Sequence, residues 1–427
     1  GVPNTSYSVA LTDKNFKYPT VLKTNLAIDK KFGNTWMVTL EGSYSKDLHA
    51  VYFSNVNLNE SNAYSLAGAD NRSRYILAMG TAYDIYRSNK YYYNVPSASS
   101  FAGNTLTSPS IGTAILMSNT RKGYAYTLTA RVEKTIHNLF ASIAYTYSKA
   151  KNVAEGGSTA SSLWSARAVS NTDPNAPALA YGSYYQPHRV IAYASYRFEY
   201  AKHFATSIGA IFEAAPSGVS SYIYANDLNG DGNTNDLIYI PRSAGEINLV
   251  KVGSGANGTN ASTDPRSGTI GTGAAATPAA SQIWVQLDNY IKQDRYLNFR
   301  RGEYAKANAW VYPFYKRLDM NITQDIYFYS KSGTGKDKHT LRLSIDLINA
   351  GNFINRNWGL IKTPTLTSNA SGYQLLTYEG LDANGKPSYS FPYLDATNQV
   401  PRSTSFTNNT GIGSRWQMQF GLRYLFN

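Results

Sequence analysis

Apolar and polar side chains alternate along the last residues of the chain. In residues 412–426, the even positions from Trp416 to Phe426 are apolar, whereas the odd positions from Gln417 to Arg423 are polar or glycine. An alternation with a period of two predicts a strand with two unlike faces.

The same pattern recurs through the chain, most clearly in 316–329 and 338–349. There Leu318 and Ile322 alternate with Arg317 and Asp319. We therefore predict an all-β, antiparallel fold with about eleven long strands. The predicted strands are 20–30, 34–46, 112–134, 139–150, 187–200, 204–217, 316–329, 338–349, 373–380, 386–393 and 412–426.

Short and long connections alternate strictly between these strands. Compact soluble domains seldom repeat loops beyond roughly 15 residues, whereas outer-membrane barrels combine short periplasmic turns with long extracellular loops. The pattern predicts a transmembrane β-barrel. The predicted short turns are 31–34, 135–138, 201–203, 330–337 and 381–386, and the long connections are 47–111, 151–186, 218–315, 350–372 and 394–411.

The charged positions of the strands favour a barrel over a soluble sandwich. A sandwich would pair its apolar faces with a second sheet and close most hairpins with short loops. A barrel must close, because an open edge in hydrocarbon leaves backbone groups without partners. We expect six charged side chains to face its lumen: Arg131, Glu133, Asp319, Asp325, Arg342 and Asp346.

The strand number suggests that the chain is part of a larger barrel. Single-chain bacterial barrels have even strand numbers, and eleven is half of 22, a size typical of plugged transporters. The chain also begins Gly1-Val2-Pro3, without Met or a signal peptide. We therefore expect residues 1–427 to be the C-terminal half of a 22-stranded barrel.

The amino-acid composition and net charge limit the kinds of binding partner that we expect. Charged residues make up only 16%, Tyr occurs 36 times, Cys is absent and the net charge is +13. No nucleic-acid-binding motif accompanies this charge, so anionic lipid head groups or lipopolysaccharide are the expected partners, with a solvated basic surface as the alternative. No run approaches the roughly 18 apolar residues of a transmembrane helix.

The segment 227–238, within the long loop region 218–315, resembles a calcium-binding loop. Oxygen-bearing side chains at positions 1, 3 and 5 and the backbone carbonyl of Asn233 at position 7, with Gly232 at position 6, could converge on one cation. Position 12 is Ile238, and we expect the nearby Asp236 to replace the missing carboxylate. The alternative is an Asx-rich turn. The candidate Ca2+ ligands are Asp227, Asn229, Asp231, Asn233 and Asp236.

The chain end resembles the signal by which barrel-assembly machinery recognises outer-membrane barrels. Gln419, Gly421, Tyr424 and Phe426 occupy its specified positions, whereas Asn427 follows the usual terminal aromatic residue.

Larger stretches resemble the C-terminal barrel of TonB-dependent outer-membrane receptors, closest to the Oar-like branch. The resemblance implies nutrient import through the cell outer membrane after capture on extracellular loops, aided by an extracellular ligand or a surface lipoprotein. It also implies an N-terminal plug and a TonB box, neither of which is in this sequence. The matching stretches are 144–152, 186–200, 227–241, 300–326, 346–359 and 414–427.

Other functions remain open at this level. A surface adhesion or scaffold barrel would use the same loops to contact partners, and a siderophore, a glycan or a peptide could be the substrate. We do not expect an enzyme, because the chain has no HExxH or GxSxG motif and no Cys.

Overall fold

The computed structural model describes ten ranges of the chain. They are 7–58, 64–75, 111–154, 158–170, 173–176, 178–253, 264–266, 281–332, 335–382 and 384–426. Strands predominate over helices in these ranges. None of the described helices is long and apolar enough to cross a membrane.

The elements follow one another with few helices between the strands. The strands are β1 (Tyr7–Thr12), β2 (Val21–Phe32), β3 (Trp36–Asp47), β4 (Ala50–Asn55), β5 (Tyr64–Ser65), β6 (Ser73–Arg74), β7 (Ile111–Thr120), β8 (Tyr124–Ile136), β9 (Leu139–Asn152), β10 (Ala180–Tyr181), β11 (His188–Tyr200), β12 (Phe204–Pro216), β13 (Val219–Ser220), β14 (Tyr222–Ala225), β15 (Tyr239–Ile240), β16 (Asn248–Leu249), β17 (Glu303–Tyr304), β18 (Trp310–Val311), β19 (Phe314–Ser332), β20 (Gly335–Ile348), β21 (Lys362–Pro364), β22 (Ser368–Asn369), β23 (Gly372–Leu381), β24 (Pro387–Ser390), β25 (Phe406–Asn408) and β26 (Gln417–Leu425). The helices are α1 (Ala160–Ser165), α2 (Gln282–Gln293), α3 (Arg295–Phe299) and α4 (Ala350–Ile354), with 3-10 turns at Ala244–Glu246 and Ile412–Ser414.

Nine long strands form one antiparallel sheet, which we call the large sheet. Its order follows the chain: β2, β3, β8, β9, β11, β12, β19, β20 and β26, with the short β10 also paired to β9. The prediction of an all-β antiparallel fold is confirmed. Short and long connections alternate between the nine strands, so the long ones all leave the sheet at the same end.

Two of the eleven predicted strands lie outside the large sheet, and that part of the prediction is wrong. Residues 373–380 and 386–393 overlap β23 and β24, which belong to a separate five-stranded sheet. The side chains of these strands are buried or half-buried on both faces. Their weak alternation therefore does not indicate an exposed apolar face.

The predicted strand 112–134 is also wrong, because it is two elements. The polar segment Arg121-Lys122-Gly123 separates β7 from β8, and Gly123 has φ 121°, a left-handed conformation that favours glycine. Strand β7 pairs with β1 and β4, whereas β8 enters the large sheet.

One face of the large sheet is apolar across all nine strands. The pairs Ile28–Leu40, Ile208–Ile322 and Leu343–Leu422 are directly opposite one another in neighbouring strands. These side chains are exposed, with 44% of Leu343 and 71% of Leu422 accessible. Among the described residues, no second sheet pairs with this face. The other face carries most of the polar and charged side chains of the strands, together with a few apolar residues such as Ile191 and Ile211.

β2 and β26 are the two edges of the large sheet, and each pairs with one neighbour in the described part of the chain.

The long connections fold into a separate body, which we call the loop body (described residues within 64–75, 219–311 and 362–408). Its main sheet has the order β14, β23, β24 and β16, with β22 also paired to β23. The predicted loop region 218–315 coincides with the segment between β12 and β19 and contributes α2, α3 and several strands.

Helix α2 shows why this region folds. Ser281 caps its start by accepting a hydrogen bond from the Trp284 amide at 3.2 Å. Ile283, Leu287 and Ile291 recur at helical spacing on one face and are buried. They pack in one core with Trp310 and Phe391.

Candidate functional site

The six residues predicted to face a lumen all lie on the polar face of the large sheet. Arg131 and Glu133 form an ion pair at 3.6 Å. Asp346 accepts a hydrogen bond from Asn321 Nδ2 at 2.5 Å on the neighbouring strand.

Asp325 is the most buried of these six residues. Its carboxylate accepts hydrogen bonds from Arg342 Nε at 2.6 Å and Arg342 Nη2 at 2.9 Å, and it also pairs with Arg197. Asp319 pairs with Arg317 at 3.1 Å and accepts the Asn349 amide, which begins the connection after β20. The polar face is therefore cross-linked by charge between strands.

The candidate assembly signal lies on the edge strand β26. Gln419 and Gly421 are on the polar face, whereas Tyr424 and Phe426 are on the apolar face and exposed. A Cβ added to Gly421 would come within 2.4 Å of Ser344 Oγ, so close strand pairing also accounts for this glycine.

The candidate calcium loop is buried within the loop body. Asp227 accepts hydrogen bonds from the amides of Gly230 and Gly232, both at 2.6 Å. Gly232 has φ 93°, the left-handed conformation expected of the turn glycine. Asp231 accepts the Asn233 amide at 2.9 Å and Asn229 Nδ2 at 3.1 Å.

Asp236 closes this loop from its far end. Its Oδ2 accepts the amides of Leu228 and Asn229, and its Oδ1 accepts Arg72 Nη1 at 2.9 Å. These bonds are those of an Asx-rich turn. Among the described residues, no three His, Cys, Asp or Glu side chains are grouped to hold a metal. Calcium binding stays a prediction.

The carboxylates of this loop repel one another. Burial, followed by repulsion from Asp231 and Asp236, raises the pKa of Asp227. Burial and then Asp236 raise the pKa of Asp231 to about 7. Burial also raises the pKa of Asp236, and the positive charge of Arg72 opposes part of this rise.

Arg72 lies in the first long connection and links this part of the loop body to the segment between β12 and β19. It is fully buried and donates to Asp70, Asp236 and the Leu237 carbonyl at 2.6 to 3.0 Å. Burial would lower the pKa of Arg72, but Asp70 and Asp236 outweigh this effect and raise it. The hydroxyl groups of Tyr224 and Tyr389 donate to Asp70 at 3.0 and 3.2 Å.

Asp294 is the second buried centre of the loop body. It accepts hydrogen bonds from Tyr222 Oη at 2.7 Å, Ser405 Oγ at 2.6 Å and Trp310 Nε1 at 3.1 Å. It also caps α3 through the Leu297 amide at 3.0 Å. Sequence reasoning missed Asp294 and the Asp70–Arg72 pair. The side chains that hydrogen-bond to Asp294 and to this pair from elsewhere lie 16 to 319 residues away in the chain.

No family model, curated protein or solved structure matches the chain.

Proposed function

We propose that the protein is a TonB-dependent receptor of the cell outer membrane that captures a nutrient on its loop body and imports it. One observation carries this proposal: an apolar face that is continuous over nine strands and exposed. In water, each Å² of exposed apolar area forgoes about 25 cal/mol of burial energy. In hydrocarbon, the same face lies in its preferred solvent.

The polar face supports the same proposal. In a barrel it would line a hydrated interior, where the ion pairs around Asp325 and Arg131 contact a plug or water. Closure requires that the free edges of β2 and β26 pair with further strands, because unpaired backbone groups are costly in lipid. We propose that such strands, together with the plug and the TonB box that the sequence resemblance implies, complete the receptor.

The loop body supports ligand capture at one end of the barrel. All long connections leave the large sheet at that end, and described residues of several of them pack in one core. Binding residues on connections held by a rigid scaffold are typical of receptor surfaces. The other proposed partners have separate grounds. Outer-membrane lipid and lipopolysaccharide follow from the net charge of +13, barrel-assembly machinery from the chain-end signal, and a surface lipoprotein from the receptor resemblance.

Calcium would extend this proposal to the loop 227–238. If a Ca2+ ion binds, Asp227, Asp231 and Asp236 would hold it with the amide oxygens of Asn229 and Asn233. Its charge would offset the repulsion between these buried carboxylates.

The first test is location and folding. The full-length protein, expressed in its host, is expected in the outer-membrane fraction and to migrate faster on a gel before heating than after heating. Recovery in the soluble fraction without detergent would contradict the proposal.

The second test separates import from adhesion. Uptake of nutrients by cells with the receptor is compared with uptake by cells that lack TonB, the receptor, or both. Uptake that needs both proteins supports a receptor. Normal uptake in receptor-deficient cells, together with lost contact between cells, supports the adhesion or scaffold alternative.

A further inference from the structure

A cavity of about 770 Å³ lies on the outer side of the large sheet, at the end from which the long connections leave. Phe212 of β12 and Leu318 of β19 form part of it, and these two residues are paired on the apolar face. Helix α4 and the residues after it supply the opposite wall, with Ile354 and Trp358. The cavity therefore opens away from the polar face and from any route through a barrel.

The lining combines an apolar surface with positive charge. Lys316 of β19 and Lys362 of β21 line the same cavity, and the described lining residues contain no carboxylate. Within the described part of the chain, neither lysine takes part in an ion pair. Two ammonium groups beside an apolar surface match an amphiphile with a negatively charged head.

The surroundings extend the apolar surface around the cavity. Ile354 and Trp358 are 69% and 55% exposed. On the adjoining side, Phe353 and Trp416 contact edge to face, with ring centroids 5.0 Å apart, and both are exposed. Aromatic residues at this level are typical of the boundary between hydrocarbon and head groups.

We infer that this cavity binds a phosphate-bearing lipid of the outer leaflet. The acyl chain packs against Phe212, Leu318 and Trp358, and the phosphate lies between Lys316 and Lys362. The inference rests on the proposed membrane location, and it adds a defined site to the general expectation of lipid contact. A transported nutrient does not fit here, because the cavity is on the side facing away from the lumen.

The test uses the full-length protein, purified in a neutral detergent, and native mass spectrometry. The probes are dimyristoyl phosphatidic acid, dimyristoyl phosphatidylcholine and inorganic phosphate. We expect one tightly bound phosphatidic acid, with phosphatidylcholine at least tenfold weaker because of its own cation. Inorganic phosphate alone is expected to bind negligibly, because it lacks an acyl chain.

The charge-reversal variant Lys316→Glu/Lys362→Glu is expected to lose most of the preference for phosphatidic acid. The matched control is Lys46→Glu, which changes a lysine on the same face and at the same end of β3, outside the cavity. Lys46→Glu is expected to bind as the unchanged protein does. If charge reversal prevents folding, the neutral pair Lys316→Gln/Lys362→Gln replaces it and is expected to show the same loss.

Three results would overturn the inference. They are equal binding of the two lipids, equal loss in the Lys46→Glu control, or tight binding of inorganic phosphate without lipid. A protein that stays monodisperse in buffer without detergent would contradict the proposed function as well. A protein that folds in detergent but shows no lipid preference would contradict only this site.

Discussion

The large sheet and the loop body use the same apolar residue types in opposite ways. Leu287 and Ile283 of the loop body are completely buried in a core shared with Trp310. Leu422 and Phe420 of the large sheet are 71% and 72% exposed. The proposed function accounts for this difference by two surroundings: water around the loop body and hydrocarbon around the sheet.

Charged groups show the complementary difference. In the loop body, Arg72 and Asp236 are completely buried and satisfy each other through hydrogen bonds. In the large sheet, the ion pairs of the described residues lie on the polar face, and Arg189 and Arg342 stay partly exposed while they pair with Glu213 and Asp325. The loop body thus buries a central charge pair, whereas the large sheet exposes an apolar face. The following predictions test that contrast, from the largest expected effect to the smallest.

Truncating Trp310 should have the largest effect, confined to the loop body. Trp310 packs on Tyr222, with ring centroids 4.2 Å apart, and bonds to Asp294. Trp310→Ala is expected to destabilise the loop body by about 3–5 kcal/mol. Protease cleavage of the loops measures this loss, while faster migration on a gel before heating than after heating reports that the sheet is folded.

The control for Trp310→Ala is Trp416→Ala, which removes an exposed ring next to the large sheet. We expect little change in loop cleavage. Equal cleavage in both variants would show that the loop body has no stability of its own.

A charge on the apolar face of the sheet should cost nearly as much, but only in lipid. Leu343→Arg is expected to reduce folding stability in a bilayer by about 2–4 kcal/mol. Folding into phosphatidylcholine vesicles, titrated with urea, measures this cost. Asn25→Arg is the control, because Asn25 is on the polar face and donates to Glu41, which would pair with the new arginine. If Leu343→Arg left the folding stability unchanged, the apolar face would be in contact with water and not with lipid.

The buried carboxylates make the loop body sensitive to pH. Because the pKa of Asp231 is raised to about 7 when folded, the folded state binds its proton more tightly than the unfolded state. This contribution to stability is complete below about pH 4 and is lost as the pH rises through about 7. Loop cleavage in the presence of a chelator, measured from pH 4.5 to 8, should therefore increase with pH.

Asp231→Asn should flatten this pH dependence, since the substituted side chain does not ionise. Added calcium gives the second comparison. If calcium binds the loop, it should restore resistance at pH 8 in the unchanged protein and not in Asp231→Asn. Identical profiles with and without calcium would leave the loop as a turn only.

The smallest effect is expected on the polar face. Asp325→Asn removes a charge that is 2% exposed and leaves Arg342 without its partner, for an expected loss of about 1–3 kcal/mol. Glu213→Gln, whose partner Arg189 is 45% exposed, should cost about 0–1 kcal/mol. Urea titration in detergent compares the two. Equal costs would mean that Asp325 is as hydrated as Glu213.

The strands of the large sheet could be predicted because their signal is local. Alternation in 316–329 and 338–349 assigns each side chain to a face, and the short turns fix the neighbours. Residues 373–393 were wrongly placed in that sheet, because burial of both faces removes the difference between alternate positions. The two-faced pattern therefore identifies strands with unlike surroundings and not strands in general.

The centre of the candidate site could not be predicted in the same way. Arg72 and Asp236 are 164 residues apart, and no sequence motif predicts that they pair. For Asp227 to Asp236, the sequence pattern predicted both calcium and an Asx turn, and the hydrogen bonds now describe the turn. The packing of several long connections against one another decides which side chains share a core. The spacing of residues along the chain does not predict this packing.

The shared core of the loop body has a consequence for how such surfaces can diverge. Asp70 and Arg72 come from one connection, Asp236 from a second and Tyr389 from a third, and all four meet in one hydrogen-bonded group. If a single connection were exchanged between related proteins, the residues of the other connections would lose their hydrogen-bond partners. New recognition properties should therefore arise by exchanging all three segments as one inherited unit, or by changing the residues that stay outside the shared core.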